Sequence, residues 1–218
     1  MFRRAVVVDK KNYFLVKQAL SEEVCELLAD YAQMKRKVKP NVIRRGDPLA
    51  GVHREYGDLM METLLDKLTP LVEHVTGCAL WPTLSFYYTY QQGQQLTPHT
   101  DRSSCQFVAG LCIGVDAAYK ERHQGWPLFL RLNDQTVESV VLACGDLIIF
   151  RGHDILHWRE VFTGTWFVSA IFGFVEKQGP FAFQKYDQRR SLGMPHVGMF
   201  HWLYGCIKQK IRTALRLS

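Results

Sequence analysis

From Thr83 onward the chain breaks into short runs rich in aromatic and β-branched residues, and that rhythm restricts the fold more than any other feature. The runs fall at 83–91, 105–115, 126–132, 137–142, 147–150, 156–161 and 166–175. Gln92-Gly93, Gln124-Gly125, Asn133-Asp134, Gly145-Asp146, Gly152 and Gly164 separate them. Many short strands at this spacing predict a sandwich or a closed barrel. No internal repeat and no low-complexity segment interrupts the pattern.

Helices are expected ahead of the strands. Tyr13-Phe14-Leu15-Val16 reads as a short strand, and Ser21 can cap a helix whose first turn carries Glu22 and Glu23. Val24, Leu27, Leu28 and Tyr31 recur at helical spacing, the mark of an amphipathic helix. Residues 35–52 hold Lys35-Arg36-Lys37, Pro40, Arg44-Arg45-Gly46 and Pro48, the chemistry of a long loop that suits a lid. Arg44 and Arg45 there are candidates for holding an anionic or protein substrate. A second helix is expected over 58–75, with Leu59, Met60, Thr63, Leu64, Leu68, Leu71 and Val72 on or near its inner face. Pro70 should kink or split it, and Gly77 should stop it.

Charge and cysteine usage narrow the class. The net charge of +6 is concentrated in residues 184–218, which carry seven Lys or Arg and one acid; the rest of the chain is balanced. A neutral body lacks the broad basic footprint of a nucleic-acid binder, so no nucleic-acid partner is expected. Phe200, Leu203, Ile207, Ile211 and Leu215 form one helical stripe, with Lys208, Lys210, Arg212 and Arg216 around it. Such a basic helix can dock on its own barrel, lie on an anionic membrane or enter a partner's groove. The six cysteines show no Cys-x-x-Cys pair, and several sit in apolar runs, as buried reduced thiols do. No run approaches the roughly 18 apolar residues of a membrane span, and the Met1–Asp9 start makes a poor secretory signal, so a cytoplasmic protein is expected.

Against this background stands Thr97-Pro98-His99-Thr100-Asp101-Arg102, answered by Leu156-His157-Trp158-Arg159-Glu160. His99 and Asp101 would share a face of a regular strand. His157 follows after 55 intervening residues, enough for several strands to bring the chain back. Two imidazoles and one carboxylate on one side of a metal suit non-haem Fe(II), leaving positions for a chelating co-substrate and O2. A structural zinc site would be closed by four protein ligands. His153, in the turn Arg151-Gly152-His153-Asp154, competes with His157 as the distal imidazole.

The stretch from Tyr13 to about Val175 resembles the prolyl-4-hydroxylase-like branch of the 2-oxoglutarate/Fe(II) dioxygenases. Ser85 through Asp101, with Tyr90-x-x-Gly93 before the His-x-Asp, carries that likeness together with Gly145-Asp146, Leu147-Ile148-Ile149-Phe150 and His157. The resemblance implies a mainly β fold with flanking helices: a double-stranded β-helix, or jelly-roll barrel, backed by N-terminal helices. It implies one domain over 1–180, with helical support at 13–80 and a jelly-roll core at 83–177, followed by a basic amphipathic extension at 181–218. It further implies His99, Asp101 and His157 as iron ligands, with 2-oxoglutarate as co-substrate and ascorbate as a reductant. The expected activity is hydroxylation of a small molecule or a protein side chain, releasing succinate and CO2.

One departure bears on the co-substrate. Family members place a Lys or Arg about ten residues after the distal His, where it holds the far carboxylate of 2-oxoglutarate; here that neighbourhood is Thr165, Trp166, Phe167 and Val168. A buried carboxylate needs a cation. Arg159, on the same strand face as His157, offers a suitable fork. Tyr90 matches the family tyrosine that hydrogen-bonds the co-substrate, and Arg102 and Arg131 are fallbacks. The missing cation also supports a different class of protein, a metal-binding jelly roll that senses or interacts without turnover.

Overall fold

Two antiparallel sheets face each other, and helices cover the outside of the larger one. The computed structural model describes residues 6–38, 49 and 51–194. Arg44, Arg45, Cys206 and the stripe from Phe200 to Leu215 lie outside the described residues.

The elements in chain order are β1 (Val6–Asp9), β2 (Tyr13–Lys17), α1 (Glu22–Val38), β3 (His53–Tyr56), α2 (Leu59–Thr76), β4 (Leu80–Gln91) and β5 (Leu96–His99). There follow β6 (Phe107–Val115), α3 (Ala117–His123), β7 (Leu128–Arg131), β8 (Val137–Val140), β9 (Leu147–Phe150), β10 (Leu156–Arg159) and β11 (Trp166–Glu176). Short 3-10 segments occupy Ser103–Cys105 and Ala182–Gln188. The large sheet runs β1-β2-β9-β6-β11-β4-β3 and the small one β5-β10-β7-β8. Facing sheets of this kind fall in the sandwich-or-barrel class that the strand rhythm pointed to, and form the jelly roll that the resemblance implied. Among the described residues, no helix is long and apolar enough to cross a membrane.

The helices pack differently from their sequence reading. On α1 the buried side chains are Cys25, Leu28, Ala29 and Ala32, whereas Leu27 is 66% exposed. The small residues let the helix approach the sheet: a β-carbon placed at Gly114 on β6 would stand 3.3 Å from that of Ala29. Helix α1 also runs on to Val38, so the expected loop starts later than Lys35. On α2, Met61, Leu64, Leu65, Leu68 and Val72 face inward, while Leu59 and Met60 point out. Asp58 caps the start of α2 by accepting from the Met60 N–H. Gly77 ends it in the left-handed region (φ 67°), donating to the Glu73 carbonyl. Pro70 does not split the helix; α2 is continuous from Leu59 to Thr76.

Two apolar clusters result. One fills the space between α1, α2 and the outer face of the large sheet; the other fills the barrel between the sheets. At roughly 1.5–3 kcal/mol for each fully buried Leu, Ile or Phe, the outer cluster supplies much of the stabilisation. The segment after β11 is fastened onto this body. Arg189 pairs with Glu62 of α2 (3.1 Å), both side chains being 3% exposed. Ser85 and the Gly193 N–H also donate to Glu62, and Arg189 donates to the Thr83 carbonyl (3.0 Å). Asp187 accepts from Tyr56 and from Arg102, each at 2.7 Å.

Candidate metal centre

The two histidines come together through strand pairing. On β5 and β10, His99 sits directly opposite His157, and their rings lie 4.3 Å apart between centroids. Each ring's Nδ1 meets the carbonyl two residues earlier in its own strand: Thr97 for His99 (2.9 Å) and Ile155 for His157 (3.0 Å). A proton held there on Nδ1 leaves the Nε2 lone pair free to ligate. Those Nε2 atoms lie 3.7 and 3.8 Å from the two Asp101 carboxylate oxygens. One ligating atom from each of His99, Asp101 and His157 falls within 4.8 Å of the others, an arrangement that could hold a metal ion.

Asp101 does not arrive by strand alternation as expected, because β5 ends at His99. The turn after β9 pins it instead. The Asp101 N–H donates to the Gly152 carbonyl (2.8 Å), and the Asp101 carbonyl meets His153 Nδ1 (3.0 Å). The His153 N–H bonds the Cys105 carbonyl (3.1 Å), and its ring packs edge-on to Phe181. His153 thus braces the backbone of Asp101 and is absent from the cluster of ligating atoms. Gly152 has its own reason to be glycine: a β-carbon there would stand 2.3 Å from Asp101 Oδ2. Sequence reasoning missed Gly152 as a site residue, although its place beside His153 in a tight turn was the available signal.

The electrostatics suit a bound cation. Asp101 Oδ2 is buried without a hydrogen-bond partner, and burial pushes the carboxyl up to about 7. Burial, reinforced by repulsion from His99, pushes His157 down to about 3, and burial also lowers His99. Both imidazoles are therefore held neutral, the form that binds a metal.

The three residues line a cavity of about 590 Å3, counted out to its mouth, together with Tyr88, Tyr90 and Arg159. Arg159 is buried in the barrel. Its guanidinium donates to the Trp126 carbonyl and lies over the rings of Trp126 (5.1 Å) and Phe167 (4.9 Å). Among the described residues no carboxylate pairs with it. Phe167, at the position where a cation was expected, is thus one of the platforms on which Arg159 rests. Tyr90 is buried between Trp126 and Phe167. The two fallbacks are elsewhere: Arg102 bonds Asp187, and Arg131 lies on the outer face of β7 over Trp158. Neither lines the cavity.

Solved structures with this architecture are numerous. A Pseudomonas putida prolyl-4-hydroxylase superimposes with a TM-score of 0.61 at 16% identity, covering 76% of this chain and 92% of that one. The non-haem α-ketoglutarate-dependent epimerase SnoN of nogalamycin biosynthesis gives 0.61 at 15% identity, covering 86% and 91%. The chain has the fold of the prolyl-4-hydroxylases and other 2-oxoglutarate/Fe(II) oxygenases. A Trichoplax adhaerens prolyl hydroxylase, solved with a hypoxia-inducible-factor peptide fragment, gives 0.61 at 10% identity, covering 78% and 86%. No family model and no curated protein matches the sequence. Within the oxygenase fold, the His-Asp-His cluster lies in the barrel mouth with Arg159 deeper inside, against Trp126 and Phe167.

Proposed function

We propose that the protein is an Fe(II)- and 2-oxoglutarate-dependent dioxygenase that hydroxylates a small molecule or a protein side chain. The observation that carries this reading is one cavity holding two complementary deficits. Among the described residues, a buried carboxylate oxygen lacks a partner beside two neutral imidazoles, and a buried guanidinium lacks a carboxylate. A divalent ion at the first and a dicarboxylate reaching the second would satisfy both.

His99, Asp101 and His157 would hold Fe(II). Arg159 would take the distal carboxylate of 2-oxoglutarate, with the Tyr90 hydroxyl as a further donor. When bound, iron and 2-oxoglutarate supply the activation of O2, with succinate and CO2 as the co-product and by-product. The chain's own residues do three things: neutral imidazoles offer lone pairs without shedding protons, the Gly152–His153 turn fixes the carboxylate, and the aromatic walls exclude water from the co-substrate. No protein acid or base is needed, so the protein supplies binding, orientation and exclusion. The structural neighbours include enzymes solved with a peptide and enzymes of small-molecule biosynthesis, which supports either class of substrate.

Anaerobic addition of Fe(II) and 2-oxoglutarate should produce a weak visible charge-transfer band, and admitting O2 should release succinate. His157→Ala should lose both. A metal-binding jelly roll without turnover would give neither signal in the unaltered protein, and that result would overturn the proposal.

A further inference from the structure

The outer face of α1 is apolar where a surface helix is ordinarily polar. Leu27, Met34 and Val38 lie seven and four residues apart, so they form one line along the helix. All three are 66–73% exposed. Tyr31, within that line, donates to Asp58 (2.6 Å), and Lys35 pairs with the same carboxylate (3.2 Å). The exposed Leu59 at the start of α2 therefore stands beside the line. Exposed acids, Glu23, Glu26 and Asp30, run along the flank opposite Tyr31. An apolar patch rimmed by charge marks a docking surface.

The described chain ends at this surface. Arg189 donates to the Met194 carbonyl (3.0 Å), and a β-carbon on Gly193 would stand 3.1 Å from Leu59. Beyond Met194 the sequence carries the stripe from Phe200 to Leu215, with Lys208 and Lys210 flanking it at helical spacing. Residues 195–199 can span about 17 Å, enough to carry the chain from Leu59 onto the C-terminal half of α1. At about 1.5 Å per residue, 200–215 and the 17 residues of α1 match in length as helices. The charges match as well. Lys35, Arg36 and Lys37 fill the last turn of α1, where the extension begins, and the acids lie in its first half. The Lys and Arg residues of the extension start only at Lys208. An antiparallel course brings them to the acids and away from Lys35–Lys37.

We propose that residues 200–215 dock antiparallel along the outer face of α1. Phe200 and Leu203 then cover Val38 and Met34, Ile211 covers Leu27, and the cations from Lys208 onward face Asp30, Glu26 and Glu23. Docking takes both apolar lines out of water at once. An anionic membrane would cover the extension alone, leave Leu27 and Met34 bare, and repel the acidic row beside them.

The test treats the full chain with a carbodiimide, which joins amines to carboxylates in contact, and maps the monomer band by mass spectrometry. Cross-links from Lys208 or Lys210 to Asp30, Glu26 or Glu23 are expected. Leu27→Gln with Met34→Gln should lower their yield roughly tenfold or more, by removing the apolar contact from exposed positions that the folded body does not use. Ile207→Gln with Ile211→Gln should do the same from the other side of the contact, without touching α1. Cross-links spread evenly over exposed carboxylates and indifferent to both pairs would mean an untethered tail. Cross-links confined to a dimer band would mean docking between copies. Sedimentation with phosphatidylserine vesicles, with no α1 cross-link in their absence, would give the extension to a membrane. Each of these three outcomes overturns the proposal.

Discussion

Arg189 and Arg159 are both buried arginines, and they are satisfied in opposite ways. Arg189 meets the Glu62 carboxylate with both oxygens in reach and adds backbone acceptors, so charge and hydrogen bonds are settled within the chain. Arg159 has one carbonyl and two aromatic faces, and no anion among the described residues. A guanidinium in a low-dielectric interior without a counter-charge is destabilising. Its retention in the barrel makes sense if the counter-charge arrives with a ligand. One arginine fastens the fold; under the proposed function, the other reserves a place.

Four changes probe that contrast. Arg189→Met strands the Glu62 carboxylate and should lower unfolding stability by about 3–5 kcal/mol in urea titrations. It should leave 2-oxoglutarate affinity unaltered. Arg159→Met should do the reverse: calorimetry should show co-substrate binding weakened by about 3 kcal/mol, roughly 100-fold, with the urea midpoint unchanged or higher. Equal stability losses in both variants would erase the distinction. Gly152→Ala places a methyl against the Asp101 carboxylate and should weaken Fe(II) or Co(II) binding by roughly 10- to 100-fold in a metal titration.

The smallest effect concerns Tyr13, which donates to Glu138 at 2.5 Å and so ties β2 of the large sheet to β8 of the small one. Burial, then that bond, pushes its hydroxyl up to about 12. A raised phenol contributes stability that is fully present below pH 10 and is lost as pH climbs toward 12. Tyr13→Phe should therefore cost about 1 kcal/mol at pH 8. The gap between variant and parent should close above pH 10 in melting curves.

The sequence exposed the barrel well where strands are central. Leu147–Phe150 is recovered as β9 with its limits unchanged, and Trp166–Glu176 differs from its expected run by one residue. The elements it hid are short edge strands and α3. β1 and β3 are four residues each, and β3 alternates too little to stand out beside a loop. Spacing of Val24, Leu27, Leu28 and Tyr31 marked α1 as amphipathic, but its buried side runs through Cys25, Leu28, Ala29 and Ala32, because small residues let the helix approach the sheet, with Ala29 opposite Gly114. At the site, His157 and Arg159 were legible because they alternate on one strand. Asp101 was placed for the wrong reason: its position depends on Gly152 and His153, a partnership across some fifty residues of chain that no local pattern encodes.

Among the described residues, β5, which carries His99, pairs only with β10, and it contains Pro98, whose nitrogen can donate nothing to a ladder. One imidazole thus hangs from the margin of the small sheet, and its partner sits one strand inside. Amides along 96–99 should exchange with deuterium early in the apo form and slow markedly once an ion bridges the two strands, while those of β11, in the middle of the large sheet, stay indifferent. Metal occupancy would then act as a clasp on the frayed margin of the barrel.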